Sequence, residues 1–317
     1  MGEPITRLNP RVTSSINKDF LEYCLTILVW TASFLKPLEH KKRGRVPYDY
    51  RMLLVLCILR ILLRKTYEDY EKEMRRDPRI CRFFWLEVLP GKSTINDFMK
   101  ELDMKTIRRF NFCLIKPYIK RRLNIMMDAS GIRIIGRSIW FCIRVKKDIS
   151  KRECDKIHVA ACTDLHLILN WFITNSKKHD SPYFVRLLKP FKKLGVVLAD
   201  LGYLARKHFQ FVADRKGALF IPFKSNSTGK PKGYETWKFA FNLWKKVNSV
   251  YMNIYHQRSK IEMVFSALKK RYGDRLYCRS KQMRRKEMAL RFVAYNLRIV
   301  AYILHSQKKK LPLYVRA

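Results

Sequence analysis

Apolar and polar positions alternate with two different periods along this chain, and the change of period divides it. From Asp19 to Leu38 the apolar residues recur at helical spacing, stopped by Pro37. Tyr48 to Arg64 is apolar nearly all round, as a buried helix is. Thr66 to Arg76 is a charged helix that Asp77-Pro78 terminates. Ile80 to Val88, with Phe83, Phe84 and Trp85, adds an apolar turn or helix. Ser93 or Thr94 then predicts an N-cap for a helix reaching about Leu102, and another helix covers 104–117. Near Arg121 the period shortens. LNIMMDASGIRII, SIWFCIRV, KIHVAACTD and LILNWFIT are short runs rich in β-branched and aromatic residues, with turns between them. Helices follow at 181–191 and 203–215, strands at GVVLAD (195–200) and ALFIPFK (218–224), and helices again from Glu235 to Ser249 and Met283 to Leu304. The pattern predicts an α/β mixed sheet flanked by helices, preceded by a mostly helical region. The expected domains are 1–118 and 119–317, the second including the C-terminal helix.

Composition changes the picture in one respect. The 317 residues are 48% hydrophobic, enough for a sizeable core, yet Lys+Arg number 67 against 26 Asp+Glu, a formal charge of +41. Such an excess opposes self-association unless a polyanion screens it, and nucleic acid is the first candidate, ahead of a membrane surface. The basic runs at 41–45, 120–122 and 284–286 fit a path for DNA. The longest apolar stretches, 23–35 and 52–63, are too short to span a bilayer. None of the eight cysteines forms a C-x-x-C pair, and most lie in apolar runs, as expected of core residues in a reducing cytoplasm.

The candidate chemistry centres on Tyr255 to Lys269, YHQRSKIEMVFSALK. On one continuous helix, Tyr255, Arg258, Glu262 and Lys269 fall within an arc of about 60°. Ile261, Val264, Ala267 and Leu268 fall behind them. A carboxylate can hold a divalent metal, cations can hold phosphates, and a ring can stack on a base. Two further acids stand at strand ends, Asp128 after LNIMM and Asp200 after GVVLA, where sites gather in α/β sheets. Singly, each Asp is as easily a turn former or helix cap, and Glu262 a partner in a surface salt bridge. Brought together, three carboxylates with oxygen-only ligation favour Mg²⁺ or Mn²⁺, two ions of which can drive an in-line displacement at phosphorus. His179-Asp180 is an alternative metal pair, read here as structural or positioning. Asp155 and Asp164 are read as solvated turn residues.

In order and spacing these segments resemble the DDE transposases of insertion sequences that bear the Y-x2-R-x3-E-x6-K signature. DAS (128–130), HDS (179–181), ADLGY (199–203), FIPFK (220–224), the signature segment and YNLRIVAYIL (295–304) are similar to that family's motifs, and the resemblance runs from about residue 48 to 304. It implies an RNase H-like core with Asp128, Asp200 and Glu262 as catalytic, metal-holding triad. It implies that Tyr255, Arg258 and Lys269 engage the element-end DNA. It implies a helical N-terminal DNA-binding region, with 93–103 the candidate recognition helix. The implied reaction is strand cleavage at the element ends, then transfer into target DNA, by a homodimer assembled on double-stranded DNA in the cytoplasm, at the nucleoid. The span from Lys224 to Glu262 leaves no room for a large inserted domain. A non-catalytic DNA-binding descendant and a metal-dependent nuclease of the same fold are the alternatives.

Overall fold

The computed structural model describes residues 6–17, 19–37, 48–77, 79–80, 83, 89–134 and 154–316. The strand expected at SIWFCIRV, the basic run 41–45, and Cys81 and Cys142 lie outside them.

The N-terminal elements are β1 (Thr6–Leu8), α1 (Pro10–Ser15), α2 (Phe20–Ser33), α3 (Tyr50–Leu63), α4 (Tyr67–Arg76), α5 (Lys92–Glu101) and α6 (Met104–Ile115). Side-chain caps start several of them: Asp49 accepts from the Arg51 amide, Thr66 from Asp69 and Asp103 from Thr106. The helix expected from Ser93 or Thr94 begins earlier, at a Gly91 cap without a side-chain bond. α3 is buried from Met52 to Leu62, as its apolar run predicts.

Next come β2 (Leu123–Ile134), β3 (Cys154–Cys162), β4 (Ile168–Asn175), α7 (Ser181–Leu188), β5 (Leu194–Ala199), α8 (Arg206–Ala213) and β6 (Ala218–Phe220). They are followed by α9 (Glu235–Lys246), α10 (Asn248–His256), α11 (Lys260–Tyr272) and β7 (Arg275–Leu276). The strands form one mixed sheet in the order β4-β3-β2-β5-β6, with β7 also pairing β2. β2, β3 and β4 are antiparallel neighbours, whereas β5 and β6 run parallel to β2. This is the RNase H-like arrangement that the strand pattern and the resemblance led us to expect. The span from Lys224 to Glu262 holds α9 and α10 and no inserted sheet.

The chain ends with α12 (Lys281–Lys309) and β8 (Tyr314–Arg316), which pairs antiparallel with β1. By packing the chain divides into two units, one of residues 119–277 and one of 6–118 with 278–317. α12 thus belongs with the N-terminal helices, packing on α2, α3 and α6, rather than with the sheet as the expected 119–317 boundary had it. Its stretch from Lys286 to Val300 is buried on almost every side, and a helix so enclosed needs several neighbours. Among the described residues no helix is long and apolar enough to cross a membrane. The described cysteines are free.

Candidate active site

The site is built where two parallel strands end out of step. β2 pairs β5 in parallel up to Met127↔Ala199, and there β5 stops. Asp128 and Asp200 are therefore the next residues on two adjacent strands. β2 continues, with β3 along its other edge through Arg133, and β7 joins on the vacated side only at Arg133 and Ile134. Asp128 is thus mid-strand, not at a strand end as the sequence suggests. It is the partner strand that ends beside it. Asp200 begins a 3₁₀ turn, Leu201–Tyr203, with its Oδ2 3.4 Å from the Gly202 amide.

The signature segment lies over this break. It is not the single helix of the sequence reading, because the chain tightens into a 3₁₀ turn at Gln257–Ser259 between α10 and α11. Residues three apart are neighbours on a helical path, and Arg258 stands over the Tyr255 ring at 5.7 Å. The turn touches both β2 and β5. Arg258 Nη1 donates to Asp128 Oδ2 at 3.0 Å, and its Nη2 lies 3.6 Å from Glu262 Oε1. Lys269 Nζ donates to Ser130 Oγ at 2.9 Å. Ser130 is two residues beyond Asp128 and so on the same face of β2. The sequence reading did not single it out, although that period of two in the DAS segment was the available signal. Ile261, Val264 and Leu268 are buried as expected, but Ala267 is exposed and Phe265 takes its place in the core.

Electrostatics bind the group together. Burial pushes the Asp128 carboxyl above its ordinary value. Its own strand's Ala129 amide and Arg258 oppose the shift, and the negative charges of Asp200 and Glu262 add to it. Burial works against the Arg258 charge, yet Tyr255, Asp128 and Asp200 outweigh it and hold the guanidinium above its usual value. The Tyr255 phenol is raised, mainly by burial. Glu262 is the most exposed of the three acids, at 65% of its side chain.

The other candidates fall elsewhere. His179 is exposed. The imidazole that meets Asp180 is His158 of β3, with Nδ1 3.2 Å from Oδ1, a partner that no adjacency in sequence announces. Asp155, expected to be solvated, is buried in β3. Asp164 pairs with Lys120 at 2.9 Å.

Asp128, Asp200 and Glu262 supply oxygen ligands only, and a cation already bridges two of them, so charge and donor chemistry fit a divalent ion such as Mg²⁺. Among the described residues, however, no three carboxylate, imidazole or thiol groups form a compact cage, and the guanidinium of Arg258 reaches both Asp128 and Glu262.

The fold is a mixed sheet with two carboxylates where its parallel pair parts, beneath a helix carrying a third. Over residues 123–297, more than half of its length, the chain matches the transposase DDE domain family, and it belongs to that family, whose activity is DNA transposition. No curated protein matches the chain. Among solved structures, a piggyBac transposase synaptic complex with hairpin DNA aligns at 10% identity and a TM-score of 0.43, covering 94% of this chain and 75% of that one.

Proposed function

We propose that this chain cuts DNA at the ends of an insertion sequence and joins the freed 3′-hydroxyl to target DNA. Asp128, Asp200 and Glu262 would hold Mg²⁺ or Mn²⁺, two ions in the full reaction. Bound there, such ions activate a water or a 3′-hydroxyl and stabilise the leaving oxygen. Arg258 neutralises the carboxylates before DNA arrives, and it offers its charge to a phosphate when the acids take up metal. Lys269, tethered to Ser130 beside the first acid, is a second phosphate contact, and the Tyr255 ring faces the same DNA end. The helices of residues 6–118 bind duplex DNA, with α5 as recognition helix, and the net charge of +41 supplies the general attraction to the backbone. Two copies act on one pair of ends, at the nucleoid.

The observation that supports this reading most is the meeting of Asp128 and Glu262 at one guanidinium, beside the point where β5 ends and Asp200 begins its turn. The experiment is Mg²⁺- or Mn²⁺-dependent cleavage and strand transfer on labelled DNA carrying the element's own ends, with Asp128→Ala and Glu262→Gln in parallel. Joined product from the wild type alone, with both variants still binding DNA, is expected. Near-normal nicking by Glu262→Gln would remove Glu262 from the triad. Cleavage without joining would point to a nuclease, and binding without cleavage in either metal to a non-catalytic DNA-binding protein.

A further inference from the structure

The turn that presents Asp200 rests on another acid. Gly202, its middle residue, lies so close to Asp180 that a Cβ there would stand 3.0 Å from Asp180 Oδ2. A side chain there would push the Asp180 carboxylate back by a few tenths of an ångström. Asp180 immediately precedes α7, but its carboxylate does not cap the helix. It turns to β3 instead, where Lys156 Nζ lies 2.7 Å and His158 Nδ1 3.2 Å from Oδ1. Neither contact has hydrogen-bond alignment: the Lys156 ammonium holds the carboxylate by charge, and the buried His158 ring packs beside it. Lys156 and His158 are two residues apart and share a strand face. His158 is wholly buried, its Nε2 3.0 Å from Thr174 Oγ1 and its ring stacked 4.3 Å from that of Tyr183. One carboxylate oxygen therefore lies against the cation of the sheet, and the other packs against Gly202 of the Asp200 turn.

Tyr203 closes the same turn. It is fully buried, and its hydroxyl has no hydrogen-bond partner among the described residues. That hydroxyl lies within electrostatic reach of Asp180, Asp128 and Asp200 together. The turn is thus surrounded by the acids it separates, and its geometry depends on what holds Asp180 in place.

We propose that Asp180 is a positioning residue for Asp200: anchored to β3 by Lys156 and His158, it fixes the turn Leu201–Tyr203 and so the direction in which the Asp200 carboxylate is presented. The proposal rests on the reading of Asp200 as a metal-holding acid made above. Asp180 itself does not touch substrate or metal in this account.

The test uses the metal-free full-length protein. Hydrogen exchange is followed by mass spectrometry over a peptide spanning residues 199–204, in wild type, Asp180→Asn and Gly202→Ala, and Mn²⁺ affinity is measured by calorimetry. In Asp180→Asn, exchange across the turn should rise on the order of tenfold, with the β2 peptide unchanged. Mn²⁺ should bind about tenfold more weakly. Adding Asp180→Asn to Asp200→Asn should weaken it no further, because a residue that acts through Asp200 has nothing left to position. Unchanged exchange in folded Asp180→Asn, or additive losses of affinity, would overturn the proposal. Should Asp180→Asn fail to fold, Gly202→Ala applies the same test from the other side of the contact. Intact Mn²⁺ binding in Asp200→Asn would sink the metal reading of the site, while the exchange result decides the positioning claim by itself.

Discussion

His158 makes the brace under Asp200 sensitive to pH in a direction that can be worked out. Burial pushes its imidazole down to about 4 from 6.5, with Asp180 resisting the fall and Lys156 assisting it. In the unfolded chain the ring regains its ordinary value. As pH drops below 6.5 the unfolded state takes up a proton that the folded state refuses, so stability from this residue is complete above that pH and is lost towards pH 4. At pH 5 the unfolded ring is almost all charged and the folded ring about one-tenth charged, which amounts to about 2 kcal/mol. Full titration would reach about 3.4 kcal/mol. His158→Phe keeps the stack on Tyr183 and cannot titrate. It loses the contact with Thr174, whose one hydroxyl proton still has the Asn175 or the Lys156 carbonyl as acceptor, so it should cost about 1 kcal/mol at neutral pH. The assay is urea unfolding followed by circular dichroism at pH 7.5 and 5.0 for both proteins. Other groups, including His166, which burial also pushes down to about 4, cancel in the double difference. Wild type should lose about 2 kcal/mol more than the variant between the two pH values. Equal losses within about 0.5 kcal/mol would refute the reasoning.

Two further predictions concern the signature segment and its approach. Arg258→Ala and Lys269→Ala should each weaken binding to element-end DNA and flatten the plot of log affinity against log salt by roughly 0.9 per phosphate lost; unchanged slopes in filter binding would place both side chains off the DNA. Tyr251→Phe should destabilise the sheet unit by about 2 kcal/mol in a thermal or urea melt, because the buried hydroxyl donates to the Ile221 carbonyl and accepts from the Ile221 amide, and both backbone groups are left without it.

Local features of the chain were readable from sequence, and features that depend on distant partners were not. The runs at 123–134, 154–162 and 168–175 announce strands through β-branched alternation alone. The helices expected at 48–64, 66–76 and 104–117 form close to those bounds, each started by a cap that needs only its own next turn, whereas the one cap expected by name, Ser93 or Thr94, gives way to Gly91. By contrast, α12 carries Lys and Arg along its first turns and so reads as a basic surface helix, although most of it is enclosed by α2, α3 and α6. Nothing within residues 281–309 says which elements will cover them. The surroundings of Asp180 were out of reach of the sequence for the same reason. His179 is its neighbour in sequence but points to solvent, while His158, on a strand two elements earlier, meets the carboxylate.

The site itself shows why spacing can point to the right residues while misjudging how they meet. The four-residue signature suggested one helix face, yet a 3₁₀ turn breaks that helix between Tyr255 and Glu262. Arg258 gains reach towards β2 from that break, since the turn rather than the body of α11 lies over both strands. The same holds for the acids. Asp128 looked like the end of its strand because the apolar run stops there, but a strand paired on its other edge with β3 need not end where its core-facing run does. What opens the site is the early end of β5 after Ala199, together with the late start of β7 at Arg275. Between them one edge of β2 is left without a strand over just the span that carries Asp128 and Ser130, and into it the signature segment puts Arg258 and Lys269. A register difference between two strands some seventy residues apart in sequence is a tertiary fact, and it is this difference that sets Asp128 beside Asp200, while Asp128 feels the charges of both Asp200 and Glu262.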